Sequence, residues 1–328
     1  MIQLTNMCRR WAWLIAVLVA MPTWAAPPKP VEPAPWKPTR TVTLVVPYSP
    51  GGGVDAMARH VARELQAKWG QTVLVENVPG AGGLLGTRRV LDAPPDGHTL
   101  LVQIPSLLVI RHTPMYKGVD PAARLVPIAT YSITAGVYAA HAGIPGKTFA
   151  DLKRHCNAAP KPCSFGTTEN MARVRLKMLE SDIPNMIVVN YKGGGQLVND
   201  LLGGNVDIGV MGYTAIAPHV KAGTVKIMMT SGTTRSPIVP DVQTSVEAGL
   251  PQIASETWYG LFAPLGTSNA VVRTVAAAVR EVAGMEETKT FFAALGSSVL
   301  ITSPEEFAKL VRDEEQRLNA LLKKYPLD

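Results

Sequence analysis

Beyond its first two dozen residues the sequence has no long apolar run, no block of like charges, few cysteines and none of the common hydrolase motifs. Each absence removes a class. A membrane-spanning helix needs roughly 20 apolar residues, so nothing after residue 25 reads as a span. Without a run of about five like charges, a nucleic-acid-binding face is a poor fit, and no nucleic acid partner is expected. There is no G-x-S-x-G and no HExxH. The histidines (His60, His98, His112, His141, His155 and His219) are scattered, with no pair at helical ligand spacing, so no metal is expected. Heptads and residue-level repeats are missing too.

What is present is globular. The chain has 328 residues, 47% hydrophobic and 17% charged, enough for one large domain or two of ordinary size. Arg9 and Arg10 precede the apolar run "WAWLIAVLVAM", and "TWA" before Ala26 offers a small-residue cleavage site. Residues 1–25 therefore read as a cleaved secretory signal. An uncleaved anchor fits less well, because the run is short for a span and is broken by Pro22. Cys8 lies ahead of the run, the wrong place for a lipid-anchoring cysteine. Residues 26–40, "APPKPVEPAPWKPTR", read as an extended proline-rich tether outside the fold. Loss of the signal takes the formal charge from +7 to +5, a mild excess that draws anions weakly. Cys156 and Cys163 flank "NAAPKP". An oxidising compartment favours a disulfide there over two free thiols or a metal clip, since no CxxC is present and only His155 is adjacent.

The first half alternates strand, glycine loop and helix. "TVTLVV" (41–46) is a continuous β-rich run, as for a strand buried on both faces. The next helix puts Val54, Met57, Val61, Leu65 and Trp69 on one stripe, and Gly70 stops it. "TVLVEN" (72–77) and "HTLLVQI" (98–104) are further strands. A second set follows: strands at "TAGVYAA" (134–140), "CSF" (163–165), "NMIVVNY" (185–191), "VDIGVM" (206–211) and "VKIMMT" (225–230), with helices between. The β-α-β order implies two α/β lobes of similar build, each a mainly parallel sheet flanked by helices. The tail reads as a strand at "WYGLFAP" (258–264), two helices, a strand at "SSVLI" and a last helix. Ser303, Pro304 and Glu306 begin that helix as a capping box. Its stripe of Phe307, Leu310, Val311, Leu318 and Leu321 should pack on the first lobe.

Four loops, "PYSPGGGVD", "PGAGG", "GTTEN" and "YKGGG", fall where a strand's carboxyl end meets a helix's amino end, the edge at which open α/β sheets bind ligands. Glycine lets backbone approach a ligand, and the free N–H groups of a helix start carry partial positive charge. The expectation is a small anion held largely by backbone amides. A nucleotide is excluded. "GAGGLLG" has Leu85 where a third glycine belongs, and "PGGGVDA" lacks the Lys-Ser/Thr of a phosphate loop, so no cofactor is expected. Asp55 and Glu169 invite catalytic roles, but nothing assembles nucleophile, base and oxyanion donors. Asp55 reads more simply as a helix-start carboxylate bonding nearby amides. The chain is expected not to be an enzyme. An exported enzyme using Asp55 or Glu169 is the alternative, and a periplasmic sensor partner is another.

"VVPYSPGGGVDAMAR", "VENVPGAGGLLGTRRVLDAPPDGHTLLV", "VNYKGGGQLVNDLLGGNVDIGVMG", "RSPIVPDVQTSVEAGLP" and "WYGLFAP" resemble the Bug/TctC substrate-binding proteins of tripartite tricarboxylate transporters, in the same order from about residue 40 to the C-terminus. The resemblance implies a periplasmic two-lobe binding protein, monomeric, with a ligand cleft between the lobes. It would capture a small organic acid and deliver it to membrane permease subunits. Lobe 1 would take residues 41–138 plus 257–328, and lobe 2 residues 139–256. The family holds a ligand carboxylate with loop amides facing the cleft. On this chain that points to Tyr48, Pro50, Gly51, Gly52, Gly53, Asp55, Gly80, Ala81, Gly82 and Gly83 on the first lobe. Across the cleft it points to Gly166, Thr167, Thr168, Tyr191, Lys192, Gly193 and Gly194. Ser106 and Tyr213 end strands facing the same gap, and Trp258 lies near the return crossing.

The chain departs from the family at "FGTTENMAR", where the usual second glycine is missing and Glu169 and Asn170 intrude. An acidic side chain near the anion pocket would repel a tricarboxylate, and "VQIPSLLV" is more apolar than usual. The expected ligand has one carboxylate and either an aromatic or apolar body or an amino group.

Overall fold

The computed structural model describes residues 36–113, 116, 118, 120–191 and 194–326. The expected signal, most of the tether, Lys192 and Gly193 lie outside the described residues. No described helix is long and apolar enough to cross a membrane.

The fold is mixed α/β, one curled sheet flanked by helices. Its strands are β1 (Val42–Val46), β2 (Val73–Asn77), β3 (Thr99–Gln103), β4 (Leu125–His141), β5 (Cys163–Thr167), β6 (Met186–Asn190), β7 (Ile208–Gly212), β8 (Val225–Thr230), β9 (Glu256–Pro264) and β10 (Ser297–Ser298). The helices are α1 (Gly53–Trp69), α2 (Leu84–Leu91), α3 (Phe149–Ala158), α4 (Asn170–Met178), α5 (Gly194–Leu202), α6 (Ala217–Lys221), α7 (Asn269–Gly284), α8 (Glu286–Ala294) and α9 (Pro304–Lys324). The sheet order is β2-β1-β3-β9-β4-β7-β5-β6, with β8 and β10 also paired to β4.

Two all-parallel blocks, β2-β1-β3 and β7-β5-β6, are joined through antiparallel β9 and β4. Each block is thus mainly parallel, as its crossover helices require. β4 is 17 residues long and begins nine residues earlier than the "TAGVYAA" segment. Residues 125–135 pair with β9, and residues 136–141 pair with β7 and β8. The N-terminal part of β4 was hidden because Pro127 and Ser132 interrupt its apolar pattern. Both fall at or beside register shifts against β9, where an irregular strand tolerates them.

The α1 stripe packs as its spacing predicts. Met57, Val61 and Leu65 are fully buried in the core with β1 and α7, and Val54 and Trp69 flank them. Trp36, inside the expected tether, stands edge-on to Trp69 and to His98, with centroids 6.1 and 5.4 Å away. Arg40 pairs with Asp96 nearby. Phe307, Val311 and Leu318 of α9 pack with Trp258, Phe262 and Val45, while Leu321 also reaches the core around α3 and β5. "SSVLI" contributes only Ser297–Ser298 as strand. Thr148 and Ser303 cap α3 and α9 in full capping boxes. Cys156 and Cys163 are bonded, tying the end of α3 to the start of β5.

Candidate functional site

The carboxyl ends of β1, β2 and β3 share one edge, and those of β5 and β7 share another. These two edges meet. Asn170 Nδ2 donates to the Gly82 carbonyl at 3.4 Å, and the Met171 N–H to Ser106 Oγ at 3.4 Å. A Cβ on Gly53 would stand 3.6 Å from Thr214 Oγ1 and 3.7 Å from the Tyr259 hydroxyl.

On the first edge, Pro50 and Gly51 are exposed, and Gly51 turns the chain with φ +83°. Gly52 is the N-cap of α1 and supplies no side-chain cap. None of the hydrogen bonds among the described residues uses the Gly53 or Val54 N–H. Asp55 is nearly fully buried. Its Oδ2 accepts from the Gly51 N–H and Arg59 Nε, each at 3.0 Å, and its Oδ1 accepts from Asn77 Nδ2 at 2.9 Å. Burial alone would raise this carboxyl, but the bonds from Arg59, Gly51 and Asn77 outweigh it and hold the pKa below its ordinary value. Gly80, Ala81, Gly82 and Gly83 all have positive φ. At Gly82 the need for glycine is steric as well, since a Cβ would lie 2.3 Å from Asn170 Nδ2. The Tyr48 hydroxyl donates to Gln103 Oε1 at 3.0 Å. Burial, and then the Glu169 charge, push its pKa well up, against an opposing contribution from Ser106.

On the second edge, Thr167 is buried and its hydroxyl accepts from the Glu169 N–H at 3.2 Å. Thr168 and Glu169 are half-buried. Burial raises the Glu169 pKa, opposed by Arg175, and no hydrogen bond among the described residues engages its carboxylate. Gly166 is a close-packing glycine, with Leu197 and Tyr191 where a Cβ would fall. The Tyr191 hydroxyl donates to Asp200 at 2.8 Å, and burial, followed by that carboxylate, raises its pKa to about 12. Gly194 begins α5 in open space. Tyr213 is buried among Leu197, Met211 and Ile216.

Between the edges lies a small chamber of about 20 Å³, lined by Thr134, Gly136, Glu169, Arg175, Gly212 and Tyr259 among others. It admits about one water. Sequence reasoning did not place Arg175 or Tyr259 here. Both signals were periodic. Arg175 falls on the buried stripe of α4 with Met171 and Met178, and Tyr259 alternates with Trp258 along β9. Trp258 faces the opposite side, where its indole N–H donates to Glu314 Oε2 at 2.5 Å. Tyr259, by contrast, stands by Glu169, and burial, then that charge, raise its pKa. Taken together, the uncapped amides and hydroxyls can donate to a small anionic group, although the chamber as it stands holds about one water. Among the described residues there is no group of three or more metal-ligating side chains.

The profile of the TctC family, described as the tripartite tricarboxylate transporter family receptor, matches residues 57–327. BugT of Bordetella pertussis is 30% identical over 322 residues, covering 95% of this chain and 96% of BugT. The solved periplasmic binding protein BugD aligns with TM-score 0.82 at 28% identity over 88% of this chain and 98% of its own. MatC of Rhodopseudomonas palustris with bound malate gives 0.80 at 29%, over 87% and 99%. A second protein of R. palustris, with adipate, gives 0.82 at 26%, over 87% and 97%.

Proposed function

The chain belongs to the tripartite tricarboxylate transporter receptor family, whose members are solute-binding proteins, and we propose that it captures a small organic carboxylate in the periplasm and hands it to membrane permease subunits. The observation that carries this reading is the uncapped start of α1 facing Thr214 and Tyr259 across the two strand edges. Free first-turn amides and the helix dipole favour a carboxylate there, and the relatives MatC and the adipate-bound R. palustris protein carry such acids. Lobe 1 is 41–138 plus 257–328 and lobe 2 is 139–256; the change of partners along β4 at Ala135 and Gly136 supports a crossing near there. Export by a cleaved signal at 1–25 completes the reading.

In this account Gly51, Gly52 and Gly53 bring the α1 amides to the ligand, Asp55 holds their loop in shape, and Tyr259 and Thr214 close over it. Lys192 and Gly193 belong to the opposing loop. Glu169 sets the class. Held half-buried beside the carboxylate's position, its charge disfavours a second or third carboxylate and tolerates an apolar body or welcomes an amino group. Both Asp55 oxygens are occupied, which leaves no general base at that position. Calorimetric titration with benzoate, an amino acid series, malate and citrate tests this. A monocarboxylate or amino acid should bind best, and Glu169→Gln should raise malate affinity about tenfold, the removal of roughly 1.4 kcal/mol of repulsion. Citrate binding best to the unaltered protein would sink the class assignment.

A further inference from the structure

Where the sheet passes from one parallel block to the other, a buried serine ties three segments together. Ser231 directly follows β8 and is 2% exposed. Its N–H donates to the Gly136 carbonyl at 2.8 Å, and its carbonyl accepts from the Ser255 N–H at 2.7 Å. Its hydroxyl repeats the connection, since Oγ accepts from the Gly136 N–H at 2.8 Å and donates to the Ser255 carbonyl at 2.8 Å. A serine hydroxyl has one hydrogen and two lone pairs, so both bonds form together. The lack of a side chain at Gly136 permits the approach, because a Cβ there would stand 3.2 Å from Ser231 Oγ.

Both partners sit at crossings. On β4, Ala135 is the last residue paired to β9 and Gly136 the first paired to β7. Ser255 immediately precedes Glu256, the residue of β9 that pairs with Ala135. The chain thus passes toward the second block and returns from it through two neighbouring strands, and Ser231 holds the second-block end of each. Gly136 also lines the small chamber, together with Thr134 and Thr257 from beyond the crossing. We propose, resting on the two-lobe reading above, that Ser231 is a hinge pin. It locks both crossing segments to β8, so that lobe 2 swings as one body and bending is confined to the Ala135–Glu256 pair. Rotation about two coupled strands changes the width of the chamber, whereas strands free of each other would let the lobes twist as well as close.

Pulsed electron–electron distance measurement on the ligand-free protein expressed without residues 1–25 tests this. Spin labels at Ala67→Cys on α1 and Lys221→Cys on α6, both exposed positions, report the separation of the lobes. Ser231→Ala should broaden the distance distribution at least twofold relative to the protein with Ser231 intact. Ser303→Ala, which removes the cap of α9 rather than a bond at the crossing, lowers stability too but should leave the width unchanged. Should Ser231→Ala fail to fold, hydrogen exchange in the unaltered protein decides, and the Gly136 amide should exchange as slowly as those of residues 137–140. Equal widths with and without Ser231 in the folded proteins, or a Gly136 amide exchanging at least tenfold faster than its neighbours, would overturn the proposal. Whether an organic acid shortens the distance in the unaltered protein is a separate result, which bears on capture between the lobes and not on the pin.

Discussion

Asp55 follows three glycines, a position that invites a chemical role, yet its carboxylate is saturated by Gly51, Arg59 and Asn77. The simpler reading, a carboxylate bonding helix-start amides, was open to sequence because the first turn of a helix rewards that arrangement. The bond from Asn77 was not, because it joins the end of one strand to a helix start 22 residues away. Asp55→Ala should lower unfolding free energy by about 2 kcal/mol, the order expected for losing charge-assisted bonds from a buried carboxylate. The folded pKa lies below the unfolded value of about 3.9. This contribution is therefore present above that pH and disappears as pH falls through the folded pKa. Denaturant melts at pH 7 and in acid should show Asp55→Ala and the unaltered protein converging as Asp55 protonates. A constant gap would contradict the account. Tyr259 carries a different lesson: nothing local in "WYGLFAP" separates Trp258 from Tyr259, and only the pleat of β9 tells which of the two faces the chamber.

The elements most legible in sequence were those with local signals. The capping box at Ser303, the glycine stop at Gly70 and the apolar stripe of α1 are local patterns, so their spacing alone specified them. β4 was less legible. Its span draws on four different partners, and a strand that changes partners need not keep one alternation of apolar and polar residues. The bond between Cys156 and Cys163 closes a short loop, with a sequence separation of 7. Loop-closure entropy for so short a loop amounts to about 2.5 kcal/mol. Replacing both cysteines by serine should lower stability in urea by about that amount, with the urea midpoint moving and ligand affinity kept. An unchanged midpoint would show that the bond adds nothing to the native fold.

At the scale of the whole molecule, two parallel blocks present their strand ends to one another, and the proposed function puts the ligand where those ends meet. The glycine loops revealed the edges from sequence because each block alone dictates its own loops. The side chains that line the floor, Arg175 and Tyr259, were not revealed, because they come from the faces of α4 and β9 and converge only when the blocks are joined. The mild positive charge of the chain without residues 1–25 adds long-range attraction for anions, but a net charge near +5 spread over the surface does not select among them. In the proposed function selection falls to the α1 amides and Glu169. The most direct test is a crystal structure of the exported protein with the acid that binds it most tightly. The account predicts the ligand carboxylate at about 2.7–3.2 Å from the Gly53 and Val54 amides and the Tyr259 hydroxyl, with the ligand chemically unchanged. A carboxylate bound elsewhere, with those amides facing water, would contradict it.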